Sequence, residues 1–203
     1  MNLIERAKNI VLQPKSEWEV IAGESTTVAD LYKGYIVPLA AITPLAGIIG
    51  MSLVGISMPF AGTFRVPLTS SIAYAVSTYV LTLVGVFIIA LIIDALVPNF
   101  GGQKNQMQAL KVATYASTPS WLAGIVMIMP VLGIIGMLAA LYGLYLLYLG
   151  LPVLMKVPQE KAVVCTVVVA IVAIVVMVVV GFISNSFIAM PGMPMSEFAP
   201  HVR

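Results

Sequence analysis

Apolar residues in this chain come in long blocks, and the polar residues gather between the blocks. The longest block, residues 112–155, runs forty-four residues without Asp, Glu, Lys, Arg or His, with Pro130 near its middle. A hydrocarbon core of about 30 Å is crossed by about 20 helical residues, so this block predicts two crossings that turn back at Pro130. In lipid every backbone N–H and C=O must be paired inside its own segment, which makes each crossing a helix. Applied along the whole chain, the pattern predicts crossings at about 34–56, 68–97, 110–129, 131–151 and 162–184. The fold expected is an all-α integral membrane protein, a bundle of five transmembrane helices over residues 34–184. A short amphipathic helical segment over 1–33 precedes it, and a flexible extracytoplasmic tail over 185–203, rich in Pro, Met and Gly, follows.

In the first segment Leu3, Ile4, Ala7, Ile10 and Val11 share one helical face and Glu5, Arg6, Lys8 and Asn9 the other, up to Pro14. Ser16-Glu17-Trp18-Glu19 has the spacing of a capping box and predicts a second short helix through about Ala22. Trp18 suits the headgroup layer. The segment either lies on the cytoplasmic membrane surface or packs on the ends of the membrane helices. Residues 1–12 carry Glu5, Arg6 and Lys8 with no apolar core after them, so insertion is expected to depend on the first crossing rather than on a cleaved signal.

Composition agrees with the blocks. The 203 residues are 61% hydrophobic and 9% charged, against about 25% charged in soluble domains. The net charge of +2, with no basic run, does not suggest nucleic acid; a single Cys rules out a disulfide within one chain, and one Cys with one His argues against a metal site. Arg6, Lys8, Lys15, Lys33, Lys104, Lys111, Lys156 and Lys161 fall on one side of the predicted crossings, and only Arg65 and Arg203 on the other. The positive-inside rule then puts the N-terminus in the cytoplasm and the C-terminus outside, in an inner membrane.

Candidate chemistry is sparse. Asp94 is the one carboxylate inside a predicted crossing; it is either an anchor that reaches water or pairs with Lys104 or Lys111, or part of an ion or solute path. Gly136, Gly143 and Gly150 recur every seven residues and predict close helix packing. Tyr142 lies deep in the fourth crossing and needs a hydrogen-bond acceptor, for which Ser117, Thr118 and Ser120 on the third crossing are candidates. Residues 44–51 and 130–137 match at six of eight positions, as an inverted repeat would, although these letters are common in membrane helices. No nucleophile elbow, phosphate loop or paired His is present.

The blocks NLIERAKNIVLQPKSEWEVIAGE, DLYKGYIVPLA, IIDALVPNFGGQKNQMQALKVATYASTPSWLAGI and YGLYLLYLGLPVLMKVP resemble, in order and spacing, the bacterial branch of the Yip family. These Ypt/Rab-GTPase-interacting proteins are five-crossing membrane proteins, so the resemblance implies the same helix count and a cytoplasmic N-terminus. It covers nearly all of residues 1–184. Eukaryotic members act in Golgi traffic and carry a Leu-Tyr-Gly-Pro-like motif; here Leu31-Tyr32 is followed by Lys33-Gly34, and the trafficking role does not carry over. The expected function is a non-catalytic scaffold that organises lipid or partner proteins. Its partners would be membrane lipids, another membrane protein or a second copy, with no cofactor. The alternative is a small transporter or channel using Asp94 and the polar second and third crossings.

Overall fold

The computed structural model describes residues 2–58, 62–129 and 132–186. The turn expected at Pro130, the second copy of the suspected repeat (in part) and nearly all of the tail lie outside these residues.

Two short helices, α1 (Leu3–Leu12) and α2 (Pro14–Gly23), open the chain. Asn2 caps α1, its side chain accepting from the Ile4 and Glu5 N–H groups. The expected capping box at Ser16 does not begin α2. Pro14 occupies its first turn, where the missing N–H costs nothing, and the Ser16 hydroxyl donates back to the Gln13 carbonyl.

The long helix α3 (Val28–Val54) contains Pro38 and Pro44 and is irregular where they intervene. Just before Pro38 it widens into a π turn over Tyr32–Ile36, in which the Val37 N–H reaches back to the Tyr32 carbonyl. The next helix repairs the ladder. Hydroxyls on α4 (Leu68–Leu96) and α3 cross between the two helices, Tyr79 donating to the Val37 carbonyl at 3.0 Å and Tyr32 to the Leu83 carbonyl at 2.8 Å. A small antiparallel hairpin, β1 (Ile56–Met58) and β2 (Gly62–Phe64), joins α3 to α4, an addition to the all-helical expectation.

A 3-10 turn at Val97–Phe100 and Gly101, in the left-handed region at φ 83°, swing the chain into α5 (Gln106–Ala123), which a 3-10 turn extends to Ile128. The stretch between the second and third predicted crossings is therefore partly helical, and the Asn105 side chain caps α5 by accepting from the Gln108 N–H. Helices α6 (Gly133–Met155) and α7 (Gln159–Asn185) complete the bundle.

Among the described residues four helical segments are long and apolar enough to cross a membrane: Val28–Val54, Leu68–Phe100, Ile134–Met155 and Gln159–Asn185. The segment predicted as the third crossing is helical but is not among them. It carries Lys111, Thr114, Ser117, Thr118 and Ser120, and it sits inside the bundle against α1, α3, α4 and α6. A helix shielded by other helices has no need of a lipid-compatible surface. The outer helices show the opposite character. Along α4 the exposed residues Ile72, Val76, Val80, Val84, Ile88 and Leu91 form one apolar stripe, and α7 exposes valines and isoleucines over most of its length. Apolar surface this extensive is suited to lipid.

Candidate functional site

Two regions concentrate polar chemistry. The first is a cap formed by α1 and α2 on the bundle end that carries Lys111. Arg6 is buried and pairs with both Glu17 and Glu24. Lys111, at the start of α5, donates to the Ile21 carbonyl at 2.9 Å and the Glu24 carbonyl at 2.5 Å. That occupies the C-terminal carbonyls of α2, where a cation is favoured. The Arg6 guanidinium lies 6.0 Å from the Tyr115 ring centre, and the Tyr115 ring meets Trp18 and Tyr35 edge-on at 6.1 and 4.8 Å.

Trp18 is fully buried, so its expected place in the headgroup layer is corrected. It fits because residue 150 is glycine: a Cβ there would lie 2.8 Å from the Trp18 ring. Of the seven-residue glycine series, Gly143 approaches α5, where a Cβ would meet the Ala116 carbonyl oxygen at 2.7 Å, and Gly136 has open space. The series thus serves two different partners. Of the two placements expected for the N-terminal segment, the structure has packing on the helix ends, because its apolar face finds a matching hollow there. The outer face still exposes Ile4 and Leu12.

The cap also claims Tyr142. Its hydroxyl donates to the Val11 carbonyl at 2.6 Å, not to Ser117, Thr118 or Ser120 as expected, because α1 places an unpaired C-terminal carbonyl within reach. Thr118 instead shares a 2.9 Å hydrogen bond with Tyr35. Asp94, in the last turn of α4, is 7% exposed, and its Oδ1 has no hydrogen-bond partner among the described residues. The expected pairing with Lys104 or Lys111 is absent there; Lys111 is taken by α2. A carboxylate near a helix C-terminus faces partial negative charge, so Asp94 is held at a cost.

The second region is a pair of adjoining cavities. One, of about 520 Å³, lies between α3, α4, α5 and α7 and is lined by hydroxyls, among them Thr43, Thr78, Thr82, Ser120 and Ser184. The other, of about 220 Å³, lies between α4, α5, α6 and α7 and is lined mainly by aliphatic side chains such as Ile93, Leu141 and Ala173. Ile89, Ser117, Ser120 and Met177 line both. Of the predicted residues, then, only Ser117 and Ser120 come together in one site. Asp94 lines neither cavity, and Tyr142 and Thr118 belong to the cap side of the bundle.

Residues 8–180 of this chain match the Yip1 domain. The chain belongs to the Yip1 family. It is also similar to two curated relatives, each named Inner membrane protein YohC, from Escherichia coli strains K12 and O6:H1. Each is 26% identical over 117 residues, covering 58% of this chain and 60% of the relative. The chain thus spans about three fifths of the length of the curated relatives it matches. No solved structure matches. This is a multi-pass helical membrane protein of the Yip1 family, and the matched residues run from within the cap to just short of Ser184.

Sequence reasoning missed the Arg6–Glu17–Glu24–Lys111 cluster and the part played by Thr78 and Ser184. One signal was present: Lys111 stands at the head of a predicted crossing, where a buried lysine must find acceptors.

Proposed function

We propose that this Yip1-family protein is a non-catalytic, five-crossing protein of the inner membrane that organises lipid or partner proteins, with α5 as the shielded third crossing. In this reading the cap faces the cytoplasm, following the lysines and arginines gathered on its side, and the names of the curated relatives support the inner-membrane placement. One observation carries it. Arg6, Glu17, Glu24 and Lys111 at the cap are paired with each other or with backbone carbonyls, which ties α1, α2 and α5 together and leaves none of these four for turnover. A transporter needs charged groups that exchange partners along a path; these are held.

The rival, a small transporter or channel, draws support from the buried Asp94 Oδ1, which has no partner among the described residues. Liposomes containing the purified protein distinguish the two. The scaffold reading expects no saturable ion or solute flux and no difference between the native protein and Asp94→Asn. A saturable flux abolished by Asp94→Asn overturns it. Extraction in nanodiscs, followed by mass spectrometry of bound lipid and protein, then identifies what is organised.

A further inference from the structure

We infer that the adjoining cavities between α4, α5 and α7 form one binding site for an uncharged glycerolipid of the diacylglycerol class, its head among the hydroxyls and one acyl chain in the aliphatic crevice. The inference deepens the proposed function and rests on the reading of the protein as lipid-organising.

Serine and threonine inside membrane helices ordinarily bond to a carbonyl one turn back, which removes the cost of an unpaired hydroxyl. This protein does so elsewhere: Ser117 donates to the Ala113 carbonyl and Thr166 to the Ala162 carbonyl, both at 2.7 Å. Thr114, which lines neither cavity, does not, and neither do Thr78 and Ser184. Both hydroxyl oxygens are buried without a partner among the described residues, Ser184 being 1% exposed, and both line the larger cavity. A polar group left unpaired in an apolar medium costs roughly 1–3 kcal/mol, and a ligand oxygen within the cavity would remove that cost. Gly181 lines the same cavity, and a Cβ built there meets nothing within 4 Å, so the wall is set back where a ligand would lie.

The lining also selects the chemistry. It contains no Asp, Glu, Lys or Arg, so a phosphate or ammonium head would enter unpaired, whereas a hydroxyl and ester carbonyls match groups that both donate and accept. About 520 Å³ falls within the roughly 300–1,000 Å³ of small-molecule sites. The geometry orders the two parts. Ser184 is in the last turn of α7, and Thr78 lies about 15 Å along α4 from that helix's start, so the hydroxyls run from the membrane boundary inward. The aliphatic crevice continues from Ile89 toward Ile93, on the cap side of the hydroxyls.

The test reconstitutes the full chain in phosphatidylcholine nanodiscs with a photoactivatable diacylglycerol carrying its label on one acyl chain, in competition with unlabelled dioleoylglycerol or phosphatidylglycerol. Crosslinks are expected on the α4, α5 or α7 residues lining the two cavities, competed at least tenfold better by dioleoylglycerol than by phosphatidylglycerol. Gly181→Leu, which fills the larger cavity, is expected to lower labelling at least fivefold. Ser184→Ala, which removes one hydroxyl without adding bulk, is expected to lower it about threefold; it guards against a Gly181→Leu chain that fails to fold. Equal competition by the two lipids, or labelling that neither variant changes, overturns the inference. Flux in liposomes is read separately. Specific labelling with flux would remove the scaffold reading and leave the site standing, whereas neither flux nor specific labelling would remove the site alone.

Discussion

The cap and the larger cavity hold different kinds of buried polar group, paired charges in one and unpaired hydroxyls in the other. At the cap, Arg6 is paired twice, Lys111 sits on two carbonyls, and Tyr142 crosses from α6 to α1. In the half of the membrane away from the cap, Thr78 and Ser184 point into a cavity with no partner among the described residues. Both ends are built from the same kind of helix, so helix propensity does not separate them. What separates them is whether a second segment of chain arrives to accept the hydrogen bonds. Helices α1 and α2 supply carbonyls and carboxylates to the charges at the cap, although the Trp18 Nε1, Thr114 hydroxyl and Asp94 Oδ1 nearby have no partner among the described residues; around the cavity the described neighbours are helices whose carbonyls are committed to their own ladders. Paired charges rigidify the contacts they join, and unpaired hydroxyls leave the cavity receptive.

That contrast predicts a graded series of effects, each read by thermal unfolding of the protein in nanodiscs. Arg6→Ala should be the most damaging, at about 3–5 kcal/mol, because it leaves Glu17 buried without its cation. The double change Arg6→Met, Glu17→Leu should recover most of that loss, since an apolar pair avoids the desolvation of both charges. If the double variant is as unstable as the single one, the cluster holds the cap by more than charge pairing.

Gly150→Ala should cost about 1–3 kcal/mol, because the new methyl would have to displace the Trp18 ring from a closed site. The same change at Gly136, where nothing lies within 4 Å, should leave stability unchanged or slightly raised, with alanine the better helix former. Equal effects at the two glycines would mean that Trp18 does not occupy the hollow in solution.

Tyr142→Phe should lose about 1 kcal/mol, the worth of one hydrogen bond whose acceptor is the Val11 carbonyl. Thr78→Val and Ser184→Ala should cost nothing, leaving stability unchanged or raising it by up to about 1 kcal/mol, because each removes a buried hydroxyl that has no protein partner to lose. A loss above about 1 kcal/mol at either position would show that the two ends do not differ as described.

Much of this organisation was legible along the chain. The apolar blocks located α3, α4, α6 and α7, since the lack of water in a bilayer permits little besides a helix there. The third predicted crossing was harder, because a helix shielded by its neighbours loses the composition that marks a crossing, and α5 carries polar residues that only its burial explains. The candidate site was legible in part. That a hydroxyl in a crossing needs a partner points to Ser117, Thr118 and Ser120, but not to their partners: Thr118 takes Tyr35, and Tyr142 takes Val11. Such pairings join residues 83 and 131 positions apart, and no local pattern encodes them.

By itself, the sequence determined a helical membrane protein with two short amphipathic helices ahead of it, because hydropathy and proline act over a few turns. Tertiary structure alone decided that Trp18 is buried against Gly150, that Lys111 serves α2 and not Asp94, and that Thr78 and Ser184 share a cavity. Each of these depends on which surfaces meet across the bundle, and a buried polar group takes the partner its neighbours leave free.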